Sequence, residues 1–290
     1  MRGFFIALIC TLSLPTAVHA VESCSKALPG VSVQLHSVRE TLSENFKDTL
    51  TALAEMGFEA VEFAGRYGPY ADDPQGLKAF LDSLGLKVSG AHVPIKLLRS
   101  EQADKSLDFL KAIGAELLII PHDARVDNPD EIDALITELR VLSARVNAKG
   151  MLLGYHNHSK EFKPFNGTTF WDHLAQNTPP EFVLQLDVGW ANYAGADPID
   201  YVKRYPHRTL TTHYKIRTRE EDKDKGLPVI MGEDNFDWQT LIKTNMSVGD
   251  TSWLVVEQEE YPQGFTPLQA VKASKQGLDN ILRDLRSECE

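Results

Sequence analysis

Residues 21–290 are predicted to form one (β/α)₈ barrel, a single α/β domain of parallel strands with a helix after each. Three observations carry this. Apolar runs rich in β-branched residues alternate with helical periodicity eight times along the chain. No glycine-rich dinucleotide turn follows the first run, which disfavours an open, doubly wound sheet. Finally, six of the nine histidines (His36, His92, His122, His156, His158 and His213) fall where an apolar run gives way to a loop. Packing alone gives histidine no reason to favour one end of successive strands. A ring of polar side chains at the carboxyl ends of strands is how such a barrel builds an active site.

The expected strands are 31–35, 60–64, 87–92, 116–120, 151–156, 182–187, 209–214 and 252–257. Between them, apolar residues recur at three- and four-residue spacing. Phe46, Leu50, Leu53 and Met56 share one face of a first helix that stops at Gly57. Leu77, Phe80, Leu81 and Leu84 do the same in a second, ended by Gly85. A third helix runs over 100–113 to Gly114, and a fourth carries Ile132, Leu135, Ile136, Leu139 and Leu142 and closes at Gly150. Weaker patterns lie at 168–176, 197–205 and 236–246, and a long one at 267–288. Strand–helix units in this order need right-handed crossovers, and a closed barrel satisfies them. The longest irregular stretch, 217–236, follows the seventh strand and has the length of an active-site lid. Within it Glu233 is expected in the mouth or at a helix cap, with Asp234 and Asp237 as anions at the next helix start.

Residues 1–20 read as a secretory signal peptide: Arg2, the apolar FFIALICTLSL, the break at Pro15, and Val18 and Ala20 at a cleavage site after Ala20. The expected location is therefore periplasmic or secreted. The net charge is −11, and loss of Arg2 makes the remainder one unit more negative. That balance argues against nucleic acid or an anionic membrane as a partner. Cys24 and Cys289 stand near opposite ends; a disulfide between them and two free thiols are both open readings. Homo-oligomerisation is also left open.

Strand alternation sorts the polar residues by face. His156 and His158 share a face with Gly154, Asp187 with Gln185, His213 and Lys215 with Thr211, and Glu257 and Glu259 with Val255. The intervening Tyr155, Leu186, Tyr214 and Val256 would pack against helices. Four adjacent strands thus aim His156, Asp187, His213 and Glu257 at one point. Mixed imidazole and carboxylate donors suit Mn²⁺, Zn²⁺, Co²⁺ or Fe²⁺ better than Ca²⁺. A metal holding a ketone and its neighbouring hydroxyl acidifies the adjacent C–H, and a base then removes the proton. Glu257, Glu62 and His92 are the expected bases, and Lys215 the donor to a developing oxyanion or leaving hydroxyl. His36, His122, His158 and Trp190 are expected to contact substrate, with His36, His92 and His122 across the mouth from the metal set.

VQLHSVRE, GFEAVEFAG, GYHNHSKEF, LDVGWANYAGADP, and MGEDNFDW followed by VVEQEE, in this order, resemble the xylose-isomerase-like barrel superfamily, in its sugar phosphate isomerase/epimerase branch. The resemblance covers nearly all of 30–285. It implies a metal held by Glu, Asp, His and Glu from strands five to eight. Asp187, His213 and Glu257 match the last three; His156 stands in the place of the first, with His158 as the alternative ligand. Epimerases of this type use the first and last carboxylates as paired acid and base, so histidine here breaks the pair. The expected activity is isomerisation or epimerisation of a sugar through a metal-stabilised enediolate. The alternatives are a lyase or dehydratase acting by β-elimination, and a non-catalytic carbohydrate-binding barrel. Sugar phosphates are scarce outside the cytoplasm, and the strand-end loops hold neither a P-loop nor a compact Arg/Lys cluster. A non-phosphorylated sugar, keto-sugar or glycoside is therefore expected.

Overall fold

The computed structural model describes residues 27–288. The signal peptide reading and the Cys24–Cys289 pair lie outside them. Eight parallel strands close into a barrel in the order β1-β8-β7-β6-β5-β4-β3-β2. They are β1 (Gly30–Gln34), β2 (Ala60–Phe63), β3 (Lys87–His92), β4 (Leu117–Ile120), β5 (Leu152–His156), β6 (Val183–Asp187), β7 (Thr211–Tyr214) and β8 (Trp253–Val256). The main crossover helices are α1 (Phe46–Glu55), α2 (Pro74–Ser83), α3 (Ala103–Ala112), α4 (Ile132–Ala148), α5 (Phe170–Asn177), α6 (Pro198–Arg204), α7 (Trp238–Thr244) and α8 (Pro267–Ser287).

The third helix begins at Ala103 rather than 100, and an additional short helix, Ile95–Arg99, precedes it, separated by Ser100 in extended conformation. A 3-10 turn, Leu35–Val38, and a short helix, Arg39–Glu44, follow β1, and a short helix, Val188–Tyr193, follows β6 directly. Among the described residues no helix is long and apolar enough to cross a membrane.

Alternation along the strands divides the molecule into two cores. Outward-facing Tyr155, Leu186, Tyr214 and Val256 join the helices in the main apolar layer. Inside the barrel, Leu117, Ile119 and Val183 form a small separate apolar cluster, with Leu152 and Leu210 packed against it. Above that plug the interior becomes polar: Ser32, Gln34, Glu62, Ser89, Gln185, Thr211 and His213 are all buried. The plug excludes water from below, so charges in the polar layer interact across a low-dielectric interior.

The loop 217–236 is not uniformly mobile-looking surface. Its first half, including the turn Glu220–Lys225, is largely exposed, whereas Ile230 and Met231 are buried. The Met231 carbonyl lies so close to Gly277 of α8 that a Cβ there would sit 1.8 Å from its oxygen. Glu233 is exposed, neither in the mouth nor a cap. Asp237 caps α7, accepting from the Thr240 N–H, and Asp234 accepts from Trp238 Nε1.

Gly154 lies in β5 two residues before His156, where β4, β5 and β6 approach closely. A Cβ there would lie 2.5 Å from the Val183 carbonyl oxygen and 2.9 Å from Ile119 Cδ1. Gly154→Ala is expected to destabilise the fold by about 1–3 kcal/mol through this overpacking, read as a lower midpoint in urea unfolding.

Candidate metal centre and active-site cavity

The polar side chains predicted for strands β5 to β8 converge. His156 ends β5, Asp187 ends β6, His213 lies in β7, and Glu257 follows β8; one donor atom from each lies within 4.8 Å of the others. Asp187 is held from both sides of its backbone. Asn157 Oδ1 accepts its N–H at 2.8 Å and Asn157 Nδ2 donates to its carbonyl at 3.2 Å. Asp187 Oδ1 accepts the Trp190 N–H, capping the helix Val188–Tyr193. Its other oxygen, Oδ2, is buried and accepts no hydrogen bond, although Lys215 Nζ is 3.0 Å and His156 Nε2 3.6 Å away. These are charge contacts without donor geometry. A buried carboxylate oxygen without a hydrogen bond is costly unless something positive completes it.

The two imidazoles present the right nitrogens for a cation. Glu62 accepts from His213 Nε2 at 2.6 Å, which leaves His213 Nδ1 facing Glu257 Oε2 at 3.0 Å and Asp187 Oδ2 at 3.9 Å. His156 Nδ1 donates to Gln185 Oε1 at 2.9 Å, so its Nε2 turns to Asp187. A metal-binding imidazole whose other nitrogen is fixed by a carboxylate or amide is the usual arrangement around a catalytic ion. With the unpaired Asp187 oxygen, this donor set fits a divalent metal. His156 rather than His158 takes the strand-five position.

Glu62, expected as a base, has both oxygens engaged below the cavity. Its Oε1 accepts from Gln34 Nε2 at 2.7 Å as well as from His213, and its Oε2 accepts from Gln185 Nε2 at 2.7 Å. Burial favours its neutral form, but His213 and His92 outweigh burial and hold the carboxyl well below the usual range. With no exposed surface and both oxygens engaged, it forms the floor of the site and does not line the cavity. His92, on β3, reaches over the barrel interior to the metal set. Its ring stacks on His213, centroids 5.3 Å apart, and Nε2 lies 2.7 Å from Gln185 Oε1. β3 stands four strands from β7 in either direction round the barrel, so His92 meets the metal set from across the mouth, and it lines the cavity.

Lys215 Nζ donates to Glu257 Oε2 and Glu259 Oε2, each at 2.8 Å. Burial alone would lower its pKa, but Asp187, Glu257 and Glu259 raise it, so the ammonium persists. Glu257 is the converse: burial opposes its charge, yet Lys215 and His213 hold it ionised. Burial, reinforced by Lys215, lowers His158 to a pKa of about 4 and keeps it neutral.

The mouth above these groups is a cavity of about 330 Å³ walled by His36, His92, His122, His156, His158, Lys215, Glu257 and Glu259 among others. His36 sits at the rim, 3.8 Å from Glu259, and His122 is exposed with its ring 6.1 Å from His158. Trp190, expected to touch substrate, does not line the cavity. Arg217 covers its ring at 4.0 Å, and His158 and Tyr193 flank it at 5.3 Å. It backs His158 instead. Gln34, Gln185 and Asn157 were given no role from sequence. Two of them left a trace: Gln185 and Gln34 stand two residues before Asp187 and His36, hence deeper on the same face.

Gln185→Leu keeps the volume but removes the partner of His156, His92 and Glu62. It is expected to weaken metal binding about 10- to 100-fold without unfolding the barrel, measured by competition with a chromophoric chelator alongside circular dichroism.

Residues 50–284 match the family model described as xylose isomerase-like TIM barrel. The inosose dehydratase of Lacticaseibacillus casei is 25% identical over 269 residues, covering 81% of this chain and 89% of that one. A sugar phosphate isomerase/epimerase from Parabacteroides distasonis superposes with a TM-score of 0.70 at 25% identity, covering 88% of this chain and 94% of its own. The IOLI protein, whose crystal structure holds a zinc atom, superposes with a TM-score of 0.66 at 13% identity, covering 88% of this chain and 98% of its own. With a closed eight-stranded barrel and a family match over most of its length, the chain belongs to the xylose isomerase-like TIM barrel family.

Proposed function

We propose that the protein is a divalent-metal-dependent lyase of the dehydratase type, acting on a non-phosphorylated keto-sugar or keto-cyclitol. This exchanges the order of the two activities expected from sequence, placing β-elimination ahead of isomerisation or epimerisation. The observation that carries it is the chemical asymmetry of the cavity wall. Glu257 and Glu259 lie on one side, bound to Lys215, and the rest of the titratable lining is imidazole. Two-base epimerisation needs a free base on each face of the substrate carbon. Glu257 is engaged by Lys215 and His213 and belongs to the donor set, and Glu62 is buried below. The name of the Lacticaseibacillus casei relative supports the same reading.

The bound ion would supply Lewis acidity to the ketone and adjacent hydroxyl oxygens, and zinc in the IOLI structure makes that metal a reasonable first choice. His158 is neutral and lines the cavity, so it can take the proton from the carbon next to the ketone. Returned from the same imidazole to the β-oxygen, that proton accompanies the departing group. One C–H and one C–O bond break, a C=C bond forms, and water or an alcohol leaves, with no oxidant required. Lys215 stays protonated and donates to oxygen that gains charge. Among the described residues it is the one Lys or Arg lining this cavity, and it is already matched by carboxylates, which supports a substrate without phosphate.

Purified protein is expected to carry one divalent ion per chain by elemental analysis, lost in Asp187→Ala and His213→Ala. Incubated with keto-cyclitols and 3-keto sugars, it should generate enone absorbance that depends on that ion. Clean epimer formation, or deuterium exchange without elimination, would return the reading to epimerase. Absence of metal and of turnover would favour the carbohydrate-binding barrel. His158→Gln should lower kcat by about 10²- to 10⁴-fold while leaving metal content unchanged.

A further inference from the structure

The active-site cavity does not end at its own rim. Gly65, His92 and Pro94 line it and also line a second cavity of about 520 Å³. This one lies between the loops after β2 and β3 and helix α3. Tyr67, Leu97, Phe109 and Leu110 contribute its apolar wall. The Tyr67 ring is held by Phe63 and Phe109, with centroids 5.2 and 4.7 Å away, so this wall is fixed before any ligand arrives. Nothing crowds the junction at Gly65. Gly65 has a φ of +75°, and a Cβ built on it meets no atom within 4 Å. At the outer end the lining becomes charged, with Lys96 and the exposed Lys105–Asp72 pair.

We propose that this groove is a second subsite, which receives an apolar substituent, such as an aryl aglycone, attached to the ring bound at the metal centre. The inference rests on the elimination reading above and narrows its substrate class from a free sugar to a substituted one. Three features favour this occupant. The groove joins the cavity at His92, beside the reacting centre. Each of the two volumes separately is within the range of about 300–1,000 Å³ typical of small-molecule sites. Tyr67, Leu97, Phe109 and Leu110 offer rings and aliphatic side chains, and the polar Ser100, Gln102 and Ser106 that also line the groove are not buried, whereas a second sugar would need several buried hydrogen-bonding side chains to replace its water.

The test uses zinc-loaded protein and glucosides without a ketone, so that nothing turns over. Calorimetry should find phenyl β-glucopyranoside bound at least about tenfold more tightly than the methyl compound, as burial of one aromatic ring predicts. Ser106→Trp, which fills the groove from α3, should abolish that preference and leave methyl glucoside binding unchanged. Ala71→Trp provides the same block from the other side should the first variant fold poorly. Equal affinities, a phenyl preference that survives both blocks, tighter binding of cellobiose than of the phenyl compound, or no binding of either glucoside would overturn the proposal. Deuterium exchange into a methyl keto-glucoside keeps the two readings apart. A protein that exchanges and eliminates but shows no phenyl preference loses only the subsite.

Discussion

A single carboxylate with no exposure to solvent, Glu62, determines how the centre above it is wired. A buried charge is tolerated only when its oxygens are filled by donors. Glu62 can only accept, so the Gln185 amide must turn its nitrogen toward it. That places Gln185 Oε1 against the rings of His92 and His156 and obliges His156 to donate through Nδ1. Its Nε2 is then free for Asp187. By the same logic His213 donates Nε2–H to Glu62 and keeps Nδ1 for the Asp187–Glu257 side. One charge on β2 thereby sets the orientation of ligands on β5 and β7.

The barrel makes this possible by separating an apolar plug from a polar layer. Leu117, Ile119 and Val183 close the lower interior, and the residues one step up each strand carry the network. Because the network is dry, its hydrogen bonds and charges act strongly on one another. The same dryness explains why His158, which gains no carboxylate partner, remains a neutral imidazole beside a cluster of ions.

Most of this architecture was legible in the sequence because period-two alternation is a local property. Apolar runs located all eight strands to within a residue or two, and parity assigned His156, Asp187, His213 and Glu257 to the inside. Parity fixes the face but not the depth or the neighbour across the barrel. The register between β2 and β3 shifts between Val61 and Glu62, and Glu62 lies opposite Gly90. Glu62 therefore lies at the floor of the site, and His92 reaches across the barrel to stack on His213. Both depend on strand tilt and closure, which no single strand encodes. The roles of Gln34, Gln185 and Asn157 were hidden for the same reason: each is defined by a partner distant in sequence.

Histidine at the end of β5 changes the charge of the centre as well as its acid–base groups. The pattern implied by the family resemblance supplies three carboxylates and one imidazole, which would leave a divalent ion with a net negative surrounding. Here Asp187 and Glu257 would balance the two charges of a divalent ion, and His156 and His213 would add none if they bound it through a neutral nitrogen. A less neutralised cation polarises a bound oxygen more strongly. Lys215 adds a further positive charge at the same edge, tied to Asp187 and Glu257. Losing the strand-five carboxylate thus removes a base while sharpening the electrophile. That combination suits a reaction whose difficulty is stabilising charge on oxygen while one imidazole handles the proton.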